Sequence, residues 1–463
     1  MTNEFSQRIT QALNDAELRQ NFKGAMHFLR DKRAQSINEV ADWESLRQQG
    51  AALRRHVLAQ LPELLEQLEA NCQRNGIHVH WAADATEARG IITQIAQSHD
   101  VKRVVKGKSM ATEEIHLNEH LIAQDIECIE SDMGEYIVQL AQETPSHIIM
   151  PAIHKNRLQI AQLFEDKLNV SRDPDDVDGL IGIGRQVLRN KFQFADMGIS
   201  GVNFAAAESG TLCLVENEGN GRMSTTVPPV HVALMGLEKV IPSLNDLPPL
   251  LSLLTRSATG QAITTYLNLI SGPRKDHEQD GPKEVHLVIL DNGRSRIQQD
   301  ADMQETLACI RCGACMNHCP VYTRIGGHAY GTTYPGPIGQ VLVPQLEGLA
   351  THAPLVSACS LNGACGEACP VKIDLPMLIR RLRQRAQHSS PHARRFEGVL
   401  WQIWRWLNTH PRSYRLITGI ARFGRKLPFP TPKAWKQRTF PRPAKTSLHQ
   451  LMKQRNNKNH EHN

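Results

Sequence analysis

With 463 residues, 40% hydrophobic and 22% charged, the chain is long enough for two or three domains and apolar enough for a sizeable core. Met1 to Leu18 is polar and mixed in charge, and no run of about 18 apolar residues occurs, so neither a secretory signal nor a membrane-spanning helix is expected. The net charge of +6 conceals an imbalance: Pro391 to Asn463 holds 16 Lys and Arg against Glu397 and Glu461, about +14, which leaves the rest near −8.

Residues 1–76 read as a helical N-terminal region. Ile9, Leu13 and the stretch Phe22 to Leu29 recur at helical spacing, Trp43 to Leu68 continues the period, and Pro62 marks a helix start or kink. From 77 to 292, short apolar strands are predicted at Ile77–Trp81, Arg103–Lys106, Ile126–Glu130, His147–Met150, Thr211–Val215 and Val285–Leu290. Helices at Ala85–Gln97, Ala111–Ile122, Glu135–Ala141 and His154–Leu168 separate several of them. Such alternation predicts an α/β domain with a mostly parallel sheet covered on both faces. Gly198 to Ile241 is richer in strands and turns and reads as a mixed-sheet extension; GPRKDHEQDGPKE (272–284) is a polar loop between elements.

A boundary falls near 293–305, and a cysteine-bearing domain runs over 293–388. Ser389, Ser390 and Pro391 open a basic C-terminal region, 389–463, which carries Trp401, Trp404, Trp406 and Trp435. Its apolar, aromatic stretch Phe396–Leu407 has three readings: contact with an anionic membrane surface, docking on another subunit, or packing on the preceding domain. No DNA-binding helix pair accompanies the basic region, so nucleic acid is not an expected partner.

Several motifs in the α/β region are weak. Val104 to Ser109 ends in GKS, but Lys102 stands where a phosphate-binding loop needs its first glycine. What remains is either an anion-binding helix start with Lys106 and Lys108 or a solvated turn. Gly179, Gly182 and Gly184 have the wrong spacing for a dinucleotide loop and read as a helix start or packing feature. Glu208–Gly210 and Glu216–Arg222 flank a strand and line a cleft or form plain turns. The 21 histidines are scattered, and no nucleophile triad or carboxylate pair is legible.

The informative signal is cysteine spacing. Cys309, Cys312, Cys315 and Cys319, followed by Pro320, read C-x2-C-x2-C-x3-C-P; Cys359, Cys365 and Cys369, followed by Pro370, read C-x5-C-x3-C-P. Seven of the ten cysteines lie in these stretches, whose tight turns aim thiolates at one point, as iron–sulfur clusters require. In two-cluster ferredoxins the last cysteine of a motif ligates the other cluster. Applied here, cluster A, a [4Fe–4S] centre, takes Cys309, Cys312, Cys315 and Cys369; cluster B takes Cys319, Cys359 and Cys365. Asn362 stands where a fourth cysteine would, so cluster B is either [3Fe–4S] or a [4Fe–4S] cubane with an incomplete thiolate set. Structural zinc is the alternative, but it explains neither the third x2 cysteine nor the Cys-Pro ends. Cys72, Cys128 and Cys213, far from both motifs, read as buried thiols, and cysteine usage in a long chain points to a reducing compartment.

With 39 residues between Cys319 and Cys359, the stretch over about 300–385 resembles the helical ferredoxin domain of succinate dehydrogenase and fumarate reductase iron–sulfur subunits, whose second motif has the same spacing and a three-iron cluster. More broadly, VVKGKSMATEEI, NFAAAESGTLCLVENEGNGR, CIRCGACMNHCPVYTRIGGHAYGTTYPGPIGQ and CPVKIDLP resemble the lactate-utilisation protein B family, over about residues 60 to 460. That resemblance implies an α/β domain similar to sugar-phosphate isomerases and CoA transferases. It implies a cytoplasmic iron–sulfur subunit, peripheral to the inner membrane face if the tail touches lipid, that acts with two partner proteins in a system converting L-lactate to pyruvate. Members of the family often carry a cysteine where Asn362 stands, and this departure bears on cluster B alone. No flavin or nicotinamide fingerprint is visible, so the expected role is electron transfer. The alternative is a small-molecule-binding or catalytic α/β domain whose clusters are regulatory or structural.

Overall fold

The computed structural model describes residues 2–388, 394–423 and 444–460. Met1–Ala386 forms one compact unit and Gln387–Asn463 a second.

In the first unit the strands are β1 (Ile77–Ala82), β2 (Arg103–Lys106), β3 (Glu127–Glu130), β4 (Met197–Gly201), β5 (Phe204–Ala206), β6 (Thr211–Glu216), β7 (Val230–Gly236), β8 (Val240–Ile241), β9 (Tyr266–Ile270) and β10 (Glu284–Leu290). Six form one sheet in the order β1-β10-β7-β4-β2-β3, with every adjacent pair parallel. The central strands β7 and β10 are nearly continuous apolar runs, as burial on both faces demands. The expected extension is a second, mixed sheet, β8-β5-β6-β9, in which β5–β6 and β6–β9 are antiparallel and β5–β8 parallel.

Local signals explain most helix limits. Asp84 caps Ala85–Ser98, and Asn156 with Gln159 forms a capping box on Arg157–Leu168. Gly179 lies in the first turn of Val177–Gln193, whose N-cap is Asp176. The helix expected over 111–122 is two, Met110–Glu114 and Leu117–Ile122, because His116 between them takes a left-handed conformation (φ 51°) that an α-helix cannot continue through.

One expected strand is absent. His147–Met150 is an irregular loop. The His147 ring folds back so that Nδ1 accepts from the amides of Ile149 and Met150 (3.1 and 3.2 Å), and Nε2 bonds Asn317 Oδ1 at 2.9 Å. Its apolar residues meet the cysteine-bearing helices rather than a neighbouring strand. At this seam Tyr322 donates its hydroxyl to the Ser146 carbonyl (2.5 Å), and a Cβ on Gly327 would fall 1.8 Å from that same oxygen.

After β10 the described residues hold helices and loops, including Ala314–Asn317, Tyr322–Ile325, Gly336–Leu346, Leu349–Ser357, Ala364–Ala368 and Leu375–His388. The N-terminal helices Ala16–Asn38 and Trp43–Ala59 pack on this part as well as on the α/β layers. Phe22 meets Tyr322 edge-on (centroids 5.5 Å apart) and passes so near Gly326 (φ +68°) that a Cβ there would stand 2.6 Å from the ring. Arg54 is fully buried and donates to the carbonyls of Glu238, Val240, Leu307 and Ala308, tying a helix, the α/β domain and the first cysteine loop together.

The second unit holds the helices Arg394–Thr409, Pro411–Phe423 and Leu448–His460. Trp401, Trp404 and Trp406 are exposed. Trp435 and Ser389 to Pro391 lie outside the described residues. No helix among the described residues is long and apolar enough to cross a membrane.

Candidate metal centre

The two cysteine loops have the same length and the same backbone, and differ in that Asn362 stands where the first has Cys312. Arg311 and Leu361 each take a left-handed conformation (φ 61° and 55°), two residues after Cys309 and Cys359. Their amides donate to Cys309 Sγ (3.4 Å) and Cys359 Sγ (3.2 Å). Gly313 and Gly363 follow at φ 77° and 88° and open short helices that carry Cys315 and Cys365. The loops close on Cys319 and Cys369, whose sulfurs accept from the amides of Tyr322 and Ile373 (both 3.4 Å). The helices Ala314–Asn317 and Ala364–Ala368 pack against one another, which sets the loops face to face.

All seven predicted cysteines are brought together, with Cys312, Cys315, Cys319, Cys365 and Cys369 buried and Cys309 and Cys359 half-buried. Burial pushes Cys312 and Cys365 up to about 12 and Cys369 to about 11, and neighbouring thiolates add to it. Burial is the leading cause at all five shifted cysteines of the loops, Cys315 and Cys319 included, and the neighbours that add to it sort the thiols. Cys312 is raised by Cys369 and Cys309, Cys315 by Cys309 and Cys312, and Cys369 by Cys309. Cys319 is raised by Cys359, and Cys365 by Cys359 and Cys319. Cys315 also feels Cys365, where the two sets adjoin. Among the described residues no three cysteine sulfurs come within 4.8 Å of one another. A tetrahedral zinc with Zn–S of about 2.3 Å would hold its sulfurs about 3.8 Å apart. The donor set therefore fits bulky thiolate-ligated clusters better than single zinc ions.

Cations surround these loops, and sequence reasoning did not find them. Arg47 donates to the Cys369 carbonyl (2.8 Å), Arg33 to the Ala368 carbonyl (2.9 Å), and Arg383 to the Cys359 carbonyl (2.6 Å). They offset the negative charge that grouped thiolates carry. In the sequence they are ordinary arginines of amphipathic helices; only the fold gathers them.

The cysteine domain joins the α/β domain through a buried ion network. Arg294 takes Glu114 in a two-pronged pair (2.8 and 2.7 Å) and Glu238 at 2.7 Å. Arg311 reaches Glu238 at 3.2 Å, and Tyr334 donates to Glu114 at 2.7 Å. Burial pushes Glu238 up, but Arg294 and Arg311 outweigh it and hold the carboxyl at about 2. Beside this network lies a cavity of about 330 Å³ at the carboxyl ends of β2, β4 and β7, reached by Gly107, Gly201, Gly236, Lys239 and Arg311.

The weaker motifs resolve plainly. Lys106 is fully buried between Glu130 (2.8 Å) and Glu113 (3.1 Å), so it is not free to hold an anion, while Lys108 pairs with Asp132 at 3.5 Å. Glu216 accepts from the amides of Gly221 and Arg222 (both 2.8 Å), which is turn chemistry, although the residue also lines the cavity. Cys72, Cys128 and Cys213 are buried, and burial raises all three thiols.

Three family models match: the LUD domain over residues 65–290, a 4Fe-4S dicluster domain over 305–373, and lactate utilisation protein B, C-terminal, over 381–457. Lactate utilization protein B of Bacillus licheniformis is 42% identical over 457 residues, spanning 96% of this chain and 95% of its own length. The Bacillus subtilis protein of that name is 44% identical over 384 residues (83% and 80%). An uncharacterized electron transport protein of Escherichia coli K12 is 42% identical over 413 residues (89% and 86%). A solved structure, of a duf162 family protein from Deinococcus radiodurans, covers 50% of this chain and 98% of its own at 14% identity and a TM-score of 0.29, too loose an overlap to bear on the fold.

Proposed function

The chain belongs to the lactate utilization protein B family, and from that premise we propose that it is the iron–sulfur electron-transfer subunit of a system oxidising L-lactate to pyruvate. Two bound clusters would supply one-electron carriers, so that the electron pair released from a 2-hydroxy acid leaves singly. The observation that carries this reading is the facing pair of cysteine loops with a shared backbone, together with the dicluster-domain match.

On this reading Cys309, Cys312, Cys315 and Cys369 hold a [4Fe–4S] cluster. Cys319, Cys359 and Cys365 hold the second, either three-iron or a four-iron cubane with one corner lacking a protein thiolate. The crossed assignment of Cys319 and Cys369 is supported by which thiols repel one another. The backbone amides of Arg311, Tyr322, Leu361 and Ile373 donate to the sulfurs, and Arg33, Arg47 and Arg383 place positive charge around them; both raise the readiness to accept an electron. The all-parallel sheet, with its cavity at the carboxyl ends, is compatible with the sugar-phosphate isomerase and CoA transferase likeness.

The system's other subunits are its partners. The basic tail, with exposed Trp401, Trp404 and Trp406, suits attachment of a cytoplasmic protein to an anionic membrane face. Substituting Cys312→Ser tests the core of the reading. Loss of one cluster's paramagnetic signal together with lactate-dependent growth is expected; full growth with that cluster gone would contradict it.

A further inference from the structure

The electron-transfer reading makes no use of the cavity beside the first cysteine loop. We propose that this cavity binds a small monocarboxylate, a 2-hydroxy or 2-oxo acid, through Lys239 and Arg311; the acid's class rests on the reading given under Proposed function.

Topology places a ligand there. Strand β2 sends its connection outward to β3, whereas its neighbour β4 continues in the opposite direction toward β7. The carboxyl ends of parallel strands at such a reversal are where α/β sheets bind ligands. Gly107 follows β2, Gly201 ends β4 and Gly236 ends β7, and all three line the cavity. A Cβ on Gly201 or Gly236 would meet side chains at 2.9 and 2.3 Å, so these strand ends are held bare by close neighbours. The volume of about 330 Å³ lies at the lower end of ligand sites, roughly 300–1,000 Å³.

Charge selects the ligand. Of the four cations that line the cavity, Lys108 pairs with Asp132, and Arg294 and Arg311 pair with Glu238. Lys239 is left over, with neither an ion pair nor a hydrogen bond among the described residues. Arg311 is 8% exposed, and its Nη1 is buried without a partner. A single carboxylate matches the one unpaired ammonium and the open guanidinium nitrogen; Asp132, Glu216 and Glu218, also in the lining, disfavour a phosphate dianion. Ile148, Ile149, Leu214 and Met235 add apolar wall for a short carbon chain. The same Arg311 donates its amide to Cys309 Sγ at 3.4 Å, so an acid on its guanidinium lies beside the thiols assigned to the [4Fe–4S] cluster.

The full chain, prepared without oxygen and with its iron and sulfide counted, is titrated calorimetrically with L-lactate, pyruvate and inorganic phosphate. Saturable binding of lactate or pyruvate is expected, with phosphate weaker. Lys239→Gln should weaken the carboxylate at least about tenfold and Lys239→Arg restore it, with the paramagnetic signals of all three proteins unchanged. Iron-loaded protein that binds no carboxylate overturns the proposal and leaves the electron-transfer reading standing. So does binding that Lys239→Gln leaves intact, phosphate binding as tight as the carboxylates, or a Lys239→Gln protein whose only change is a shifted cluster midpoint potential. Carboxylate binding by protein that never takes up iron would support the cavity and overturn the electron-transfer reading.

Discussion

Asn362 occupies in the second cysteine loop the place that Cys312 occupies in the first. Each follows a left-handed residue, Leu361 or Arg311, and precedes a left-handed glycine, Gly363 or Gly313. The loops differ in what stands at that place, an exposed amide against a buried thiol. Since the backbone is already set for a ligand, the missing thiolate is a matter of one side chain.

Asn362→Cys should therefore complete the second site without disturbing the fold. If the native centre is three-iron, iron per chain rises from about seven to about eight and the three-iron paramagnetic signal of oxidised protein disappears. If it is a cubane with a labile corner, iron stays at about eight and its loss on oxidation slows. An unchanged iron count with unchanged lability would show that the side chain at 362 faces away from the cluster.

Arg54 ties the helical N-terminus, the α/β domain and the cysteine loop together through four hydrogen bonds. Arg54→Leu keeps apolar bulk but leaves four buried carbonyls short of a donor. A loss of about 3 kcal/mol or more is expected, read as a lowered melting temperature together with faster loss of iron. A melting temperature within error of the wild type would mean that those carbonyls find water instead.

Glu238 makes stability pH-dependent. Its carboxyl, ordinarily near 4.5, is held at about 2, so its contribution is complete above 4.5 and drains away as pH falls toward about 2. Glu238→Gln, which leaves Arg311 without its carboxylate, should cost about 3 kcal/mol or more at neutral pH. The gap between wild type and variant, measured by denaturant melts, should close across that acid window. A gap independent of pH would place the loss in packing rather than charge.

The tail should respond to lipid charge. Trp401, Trp404 and Trp406 are 63%, 58% and 57% exposed on one basic segment. Their fluorescence should shift to the blue on vesicles of anionic lipid, little on neutral ones, and the shift should weaken with added salt. No shift on anionic vesicles would favour a protein partner for this surface.

Much of the fold and the cysteine centre is legible in the sequence because the signals are local. Cysteine spacing encodes loop geometry, and strand–helix alternation encodes the parallel sheet. Where contacts are distant, local signals mislead or are silent. The apolar run His147–Met150 looks like a strand, yet its partners are Asn317 and the helix carrying Tyr322. Arg54 and Arg294 carry no local signal of burial and yet are buried, because their counter-groups come from segments far along the chain. Lys239 and Arg311 are 72 positions apart, and no spacing rule joins them; the cavity exists only once β7 and the first cysteine loop meet.

The central claim is that seven cysteines on two facing loops hold a pair of iron–sulfur clusters. Counting iron and acid-labile sulfide in protein purified without oxygen, with paramagnetic resonance before and after reduction, tests it most directly. The account predicts brown protein with about eight sulfides and seven or eight irons per chain, and two distinct centres that take up electrons. Colourless protein without iron or sulfide after reconstitution, or one carrying zinc alone, would contradict it.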